Sequence, residues 1–254
     1  MKDLLRNPEL YRTGPNYKAT NLVFPVEFQG KPYIVKKASN LSTLANAYYT
    51  FQDQFFYSTR KLSTARQGFA KEAEKLSKLN GKCSPALVAY DGETTLVREL
   101  LEGSSFRDSY LNCKDKDLEI LITRALESLT DIHEAGVAIG DSHIKNFFSS
   151  HKGPCWIDFD GVFDERCPRT SKALDLLKFI YSTYTITRNK DLTVYAAEQT
   201  SMYPDTYVRD TLLALAATGP SAMALWFPTR LPIDGSINKL VRKTLKKIFF
   251  STIL

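Results

Sequence analysis

The 254-residue chain carries 34 lysines and arginines against 28 acids, a formal net charge of +6, with 43% hydrophobic and 24% charged residues. This is ordinary globular composition, without internal repeats or low-complexity tracts, and no apolar run approaches the ~20 residues needed to span a bilayer. The modest basic excess favours anionic partners such as phosphates or an acidic membrane surface, with no clear nucleic-acid signature. The N-terminal stretch "MKDLLRNPEL" is charged and lacks an apolar signal core, so nothing in it marks the protein for secretion. Cys83, Cys113, Cys155 and Cys167 form no C-x-x-C pair, which argues against zinc and for reduced thiols.

Residues 21–37, "NLVFPVEFQGKPYIVKK", read as two strands joined by a turn at "QGKP", because Phe24, Val26 and Phe28 alternate with other residues, as do Tyr33 and Val35. The aromatic stretch 41–62 reads as helical, and "STARQGFAKEAEKLSKLNG" as a clear helix stopping at Gly81. "ALVAYDGETTLVREL" reads as strand, Asp-Gly turn, strand, and "LEGSSFRDSY" as a connector. From Asp115 the pattern is mainly helical, interrupted by a loop, "AIGDSHIKNFF", and by a hairpin ending in the apolar strand "CWIDFD". A β-rich first hundred residues followed by a helical remainder predicts an α+β chain of two lobes with a cleft between them. The predicted boundary near Gly103 gives an N-lobe of about 1–102 and a C-lobe of about 103–254 within one domain.

The loop places Asp141 and Asn146 five residues apart, and Asp158 follows at the end of the apolar strand. Phosphoryl transfer asks for this kind of set: a group that orients a hydroxyl and takes its proton, hard oxygen ligands for magnesium, and a cation on the phosphates. Asp141 suits the first role, Asn146 and Asp158 the second, and Lys36 at the end of "PYIVK" the third, with Glu72 available to hold that lysine extended. Each residue has a plainer reading. Asp141 and Asn146 also suit a simple Asx turn. Either Lys36 or Lys37 is a solvated strand residue, the alternation Ile34–Lys36 favouring Lys36 as the inward one. Glu72 also reads as a helix-surface acid, Asp160 reads more readily as a turn residue than as a ligand, and His143 reads as solvated. Lys145 is within the loop, and an approach to a transferred phosphate is the less favoured of its readings.

Together these segments resemble the protein-kinase-like superfamily over roughly residues 20–180. "IGDSHIKN" is similar to the catalytic loop H-R-D-x-x-x-x-N, "IDFD" to the metal motif D-F-G, and "YIVK" to the strand V-A-I-K. "KEAEKL" has the spacing of the family's helix glutamate, which selects Glu72 over Glu74, and "TLVRELLEG" resembles the inter-lobe hinge. The resemblance implies a two-lobed kinase-like fold with ATP and Mg2+ in the cleft. It implies adenine against the backbone of Glu99, Leu100 and Leu101, Lys36 on the phosphates, Asp141 on the acceptor, and Asn146 and Asp158 on the metal. The chain departs from the pattern at four places. "GPNYKATNLVF" stands where the glycine-rich loop would be, Ile139 and Gly140 replace histidine and arginine, and no A-P-E motif follows. Loss of the arginine argues against control by activation-loop phosphorylation.

The short C-lobe, with G-D in the loop and D-F-D after it, is closest in style to bacterial lipopolysaccharide core (Kdo/heptose) kinases. That likeness implies a hydroxyl on a sugar of a membrane glycolipid as acceptor, and a cytoplasmic protein working at the inner face of the membrane. Two alternatives stand beside it: a small atypical protein kinase or ATPase acting in a complex, and a pseudokinase that binds a partner without catalysis. The tail "SINKLVRKTLKKIFFSTIL" interleaves Lys239, Arg242, Lys243, Lys246 and Lys247 with Leu240, Val241, Leu245, Ile248 and Phe249. It suits an amphipathic helix on an anionic membrane as well as a final helix packed on the lobe with a solvated basic face.

Overall fold

A computed structural model describes residues 1–17, 21–39, 64–113, 115–161, 167–217 and 235–251. The aromatic stretch 41–62 lies outside the described residues. The N-terminal part is built on a sheet of order β1-β2-β4-β3, from β1 (Leu22–Phe28), β2 (Lys31–Lys37), β3 (Leu87–Tyr90) and β4 (Thr95–Glu99). Gln29 and Gly30 join β1 to β2 with φ of 53° and 71°, the two positive values that a tight hairpin turn with the strands' own twist requires. The pairings Phe24↔Val35 and Val35↔Val97 place these three residues on one face, with Val26 and Phe28, in a small core closed by Leu4 of α1 (Lys2–Arg6). The pairings Ile34↔Arg98 and Lys36↔Leu96 place those four residues on the opposite face. The period of two therefore sends Lys36 to the inner side of the sheet and Lys37 to the other.

The inner face is covered by α2 (Ala65–Leu79), which starts with a Thr64–Gln67 capping box and ends where Asn80 turns left-handed at φ 47°. Phe69, Ala73, Leu76 and Leu79 recur at helical spacing and are buried, and Glu72 is buried on the same stripe. These residues open the main core, which continues through Leu96 into the helical part.

The segment expected to be a connector is structured. Gly103–Ser105 forms β5, pairing with β6 (Phe147–Ser150), and Ser105 caps α3 (Phe106–Asn112) through a reciprocal capping box with Asp108. Two serines and a glycine carry no hydrophobic alternation, so the strand exists through its partner rather than through its own pattern. The predicted hairpin is β6 with β7 (Gly153–Trp156). Behind it lie α4 (Asp115–Glu134) and α5 (Pro168–Thr187), and the Trp156 indole donates to Ser128 Oγ at 2.9 Å. Helix α5 buries residues on nearly every side, from Leu174 and Leu176 to Phe179, Ile180 and Tyr181, because α6 (Lys190–Gln199), α7 (Thr206–Ala217) and the turn at Ile144–Asn146 all pack on it. The chain is thus α+β, β-rich first and helical after.

The basic tail forms α8 (Gly235–Ser251). Ile237, Val241 and Leu245 are fully buried against α6 and α7, and the Arg242 Nε–H bonds the Ala216 carbonyl at 2.5 Å. Lys239, Lys243, Lys246 and Lys247 point outward and are exposed. The apolar stripe is therefore core, and only the cations face solvent. Leu245→Ala is expected to cost about 2–5 kcal/mol in urea denaturation, whereas Lys243→Ala should stay within about 0.5 kcal/mol of the parent. Equal effects would contradict the packing.

Candidate active site

The densest charge on the inner face centres on Lys36. Its ammonium donates to Glu72 Oε2 at 2.7 Å, to Asp158 Oδ1 at 2.5 Å and to Asp160 Oδ2 at 3.2 Å. Burial alone would lower the lysine pKa, but the three carboxylates, Asp158 foremost, reverse this and hold it well above the ordinary value. Glu72 is 1% exposed and faces Lys36, while Glu74 lies outside and pairs with Lys71. Asp160 is a member of the charge cluster, contrary to its reading as a simple turn residue. Asp158 sits just past β7 at φ 72°, a backbone state uncommon for residues with a Cβ, which turns its carboxylate back toward the sheet.

Oxygens of Glu72, Asp158 and Asp160 lie within 4.8 Å of one another. An all-oxygen set is the kind a hard divalent cation such as Mg2+ takes, and here the Lys36 ammonium is bonded to each of the three carboxylates. Asn146 adds an amide nearby in the chain of contacts. Its Nδ2 donates to the Asp141 backbone carbonyl at 2.9 Å and to Asp141 Oδ2 at 3.0 Å, and the Asn146 backbone carbonyl accepts from Ile157 N–H at 2.9 Å. Asn146 thereby fixes the Asp141 carboxylate and ties its loop to the strand end that carries Asp158.

The loop itself is held from below by α5. Asp175, fully buried, accepts from Ile139 N–H at 2.7 Å and Gly140 N–H at 2.9 Å, its carbonyl accepts from Ser142 Oγ–H at 2.7 Å, and Ser182 Oγ accepts from Ile144 N–H at 2.8 Å. Asp175 and Ser182 are seven residues apart, two helical turns, so they share one face. His133 Nε2 stands 3.1 Å from the same carboxylate and Nδ1 stands 2.9 Å from the Tyr203 hydroxyl. A neutral ring serves both: Nε2–H donates to Asp175 and Nδ1 accepts from Tyr203. Burial holds the His133 pKa below the usual value, against the pull of Asp175.

Sequence reading missed Asp175, although an acid and a serine inside the apolar run "ALDLLKFIYS" are a visible anomaly. It also missed Arg98, whose side chain lies on the inner face; its Nε is buried and bonds to no group among the described residues, and burial lowers its pKa against the fields of Glu72 and Asp158. His143, expected to be solvated, is buried: Nδ1 accepts from Lys145 N–H at 3.2 Å and Nε2 lies 3.4 Å from Thr185 Oγ1. Lys145 is exposed. Glu99 uses its backbone N–H and its Oε2 on Ala86, and Oε1 pairs with Lys152, while Leu100 and Leu101 leave the sheet ladder half-buried.

No protein-family model matches the chain, and no curated protein matches it. Among solved structures, the chain is similar to the crystal structure of the Mycobacterium tuberculosis PknI kinase domain, at 15% identity and a TM-score of 0.45, covering 94% of this chain and 93% of that one.

The buried histidines give a pH test. His143 is pushed by burial from 6.5 to about 3, and His133 is lowered too. Both are neutral in the folded chain at a pH where the unfolded chain binds protons, so stability is full above about 6.5 and falls with falling pH, by up to about 1.4 kcal/mol per unit for His143. Urea midpoints at pH 7.5 and 5 should show this loss, and His143→Gln should reduce it. Parallel profiles for parent and variant would remove His143 from the explanation.

Proposed function

We propose that the chain is an ATP-dependent phosphotransferase with an alcohol group as acceptor. The observation that carries this reading is the Lys36 ammonium bound at once to Glu72 and Asp158, with Asn146 linking Asp158's strand to the carboxylate of Asp141. Lys36, held extended by Glu72, lies on the phosphates. Leu100 and Leu101, past the end of the sheet ladder, offer backbone groups to the adenine with Glu99 beside them. Asn146 and Asp158 hold the metal, with Asp160 alongside. Mg2+ supplies, when bound, neutralisation of the charge on the phosphoryl oxygens. Asp141 orients the acceptor hydroxyl. As that oxygen bonds to the γ-phosphorus and the bond to ADP breaks, the hydroxyl proton passes to the Asp141 carboxylate.

The acceptor we propose is a sugar hydroxyl of a lipid-linked glycan, such as lipopolysaccharide core, reached at the cytoplasmic face of the membrane. Support comes from the four exposed lysines of α8, which present a cationic face suited to anionic lipid, each contributing about 1 kcal/mol near an acidic surface. With the apolar stripe of that helix already buried, attraction to the membrane is electrostatic and therefore salt-sensitive. The intact Lys36–Glu72 pair supports catalysis over a non-catalytic binding module.

Radiolabelled ATP incubated with lipid, glycan and protein fractions should label the glycolipid fraction, in a magnesium-dependent manner. Asp141→Ala and Asp158→Ala should each lower turnover by about 10²-fold or more, and Lys36→Met far more than Lys37→Met. Wild-type turnover in Asp158→Ala under saturating ATP would refute the metal role. Label appearing only in the protein fraction would replace the acceptor with a protein.

Co-sedimentation with acidic liposomes should be strong at low salt and weak at high salt. It should also fall when Lys239, Lys243, Lys246 and Lys247 are changed to glutamine. No binding at low salt would remove the support for a membrane acceptor.

A further inference from the structure

The dipeptide before Asp141 is Ile139–Gly140, where the resembling family has histidine and arginine. Gly140 has φ +95°, and a Cβ there would come within 2.5 Å of Gly161 Cα, so no larger residue fits. The backbones of the Asp141 loop and the Asp158–Gly161 turn touch at this point. The two N–H groups of the dipeptide are taken by Asp175. Its two carbonyls are taken by ammonium groups: Ile139 O by Lys75 at 3.0 Å and Gly140 O by Lys178 at 2.7 Å. Lys75 also donates to Gly161 O at 2.5 Å. Lys75 lies on α2, three residues after Glu72 and so on a neighbouring part of the same face.

We propose that Lys75 is a positioning residue for phosphoryl transfer, which locks α2, and with it the Glu72–Lys36 pair, to both the Asp141 loop and the Asp158–Gly161 turn. This rests on the phosphotransferase reading above. An ammonium has three directed donors and no acceptor, so one lysine can hold carbonyls of two loops at once. These are charge-assisted bonds, which are shorter and stronger than neutral ones. The consequence is a site whose three parts are assembled by the chain's own lysine, so catalysis needs no phosphorylation of the segment after Asp158. A small displacement of either loop is costly, because transfer depends on the reacting groups being held in line.

The test uses the full chain, with Lys75→Met, Lys75→Gln and Lys75→Arg. Magnesium-dependent hydrolysis of radiolabelled ATP by the phosphatase-treated protein gives kcat and KM, and deuterium exchange reports residues 139–148 and 158–161. In Lys75→Met, kcat should fall about tenfold or more with KM for ATP within about threefold, Lys75→Arg should recover most of it, and both segments should exchange faster together. Wild-type kcat with unchanged exchange in Lys75→Met overturns the proposal. So does loss of folding in both Lys75→Met and Lys75→Gln, which makes Lys75 part of the fold alone, and so does parent protein that turns over only before phosphatase treatment. If the parent shows no turnover at all, the phosphotransferase reading fails. Joint loss of protection in the two segments then still establishes the lock, and loss in one or neither removes it.

Discussion

A lysine ammonium on the inner face of a sheet, almost wholly out of water, has to be matched by negative charge. Lys36 is in that position, and much of the structure follows from satisfying it. Glu72 is 1% exposed and would be untenable alone, since removing one partner of a buried pair costs about 3–5 kcal/mol. The pair therefore fixes the rotation of α2 about its axis: Glu72 must face the sheet, and Phe69, Leu76 and Leu79 then enter the core on the same stripe. Asp158 and Asp160, more exposed than Glu72, complete the neutralisation from the segment after β7 and draw that strand end toward the sheet. Such a pair adds little net stability, but its geometry admits few alternatives.

The helical part answers a different problem, that of holding an irregular loop with its polar backbone buried. Buried N–H groups need partners. One carboxylate on a central helix supplies several, and His133 with Tyr203 in turn fixes that carboxylate. The loop is thereby rigid where it carries Asp141 and Asn146. In this arrangement Ile139 and Gly140 are fitted to their surroundings. Gly140 permits close approach of two backbones, and the charged groups come from α2 and α5 instead.

The basic tail shows how one pattern sorts two kinds of side chain. Burial of Ile237, Val241 and Leu245 closes the core over α6 and α7, and the period of 3.6 that achieves this places the lysines outside. Their charge is then available to an anionic surface without any part of the helix leaving the fold.

The sequence by itself determined the elements with local patterns. Alternation set β1 and β2, helical spacing with a stop at Gly81 set α2, and the Lys36–Glu72 pair expected from the order of segments is in contact, with Asp158 beside it and Asn146 bonded to Asp141. Alternation even chose Lys36 over Lys37, because a period of two cannot bury both. Tertiary structure alone decided what depends on partners distant in the chain. Gly103–Ser105 is a strand only because Phe148–Ser150 lies beside it, and His143 is buried only because α5 packs over its loop. Asp160 joins the charge cluster because Asp158 turns left-handed, and Asp175, Lys75 and Arg98 gain their surroundings from contacts dozens of residues away. Local periodicity encodes which face a side chain takes. It carries no information about which backbone carbonyl, or which buried amide, that face will meet.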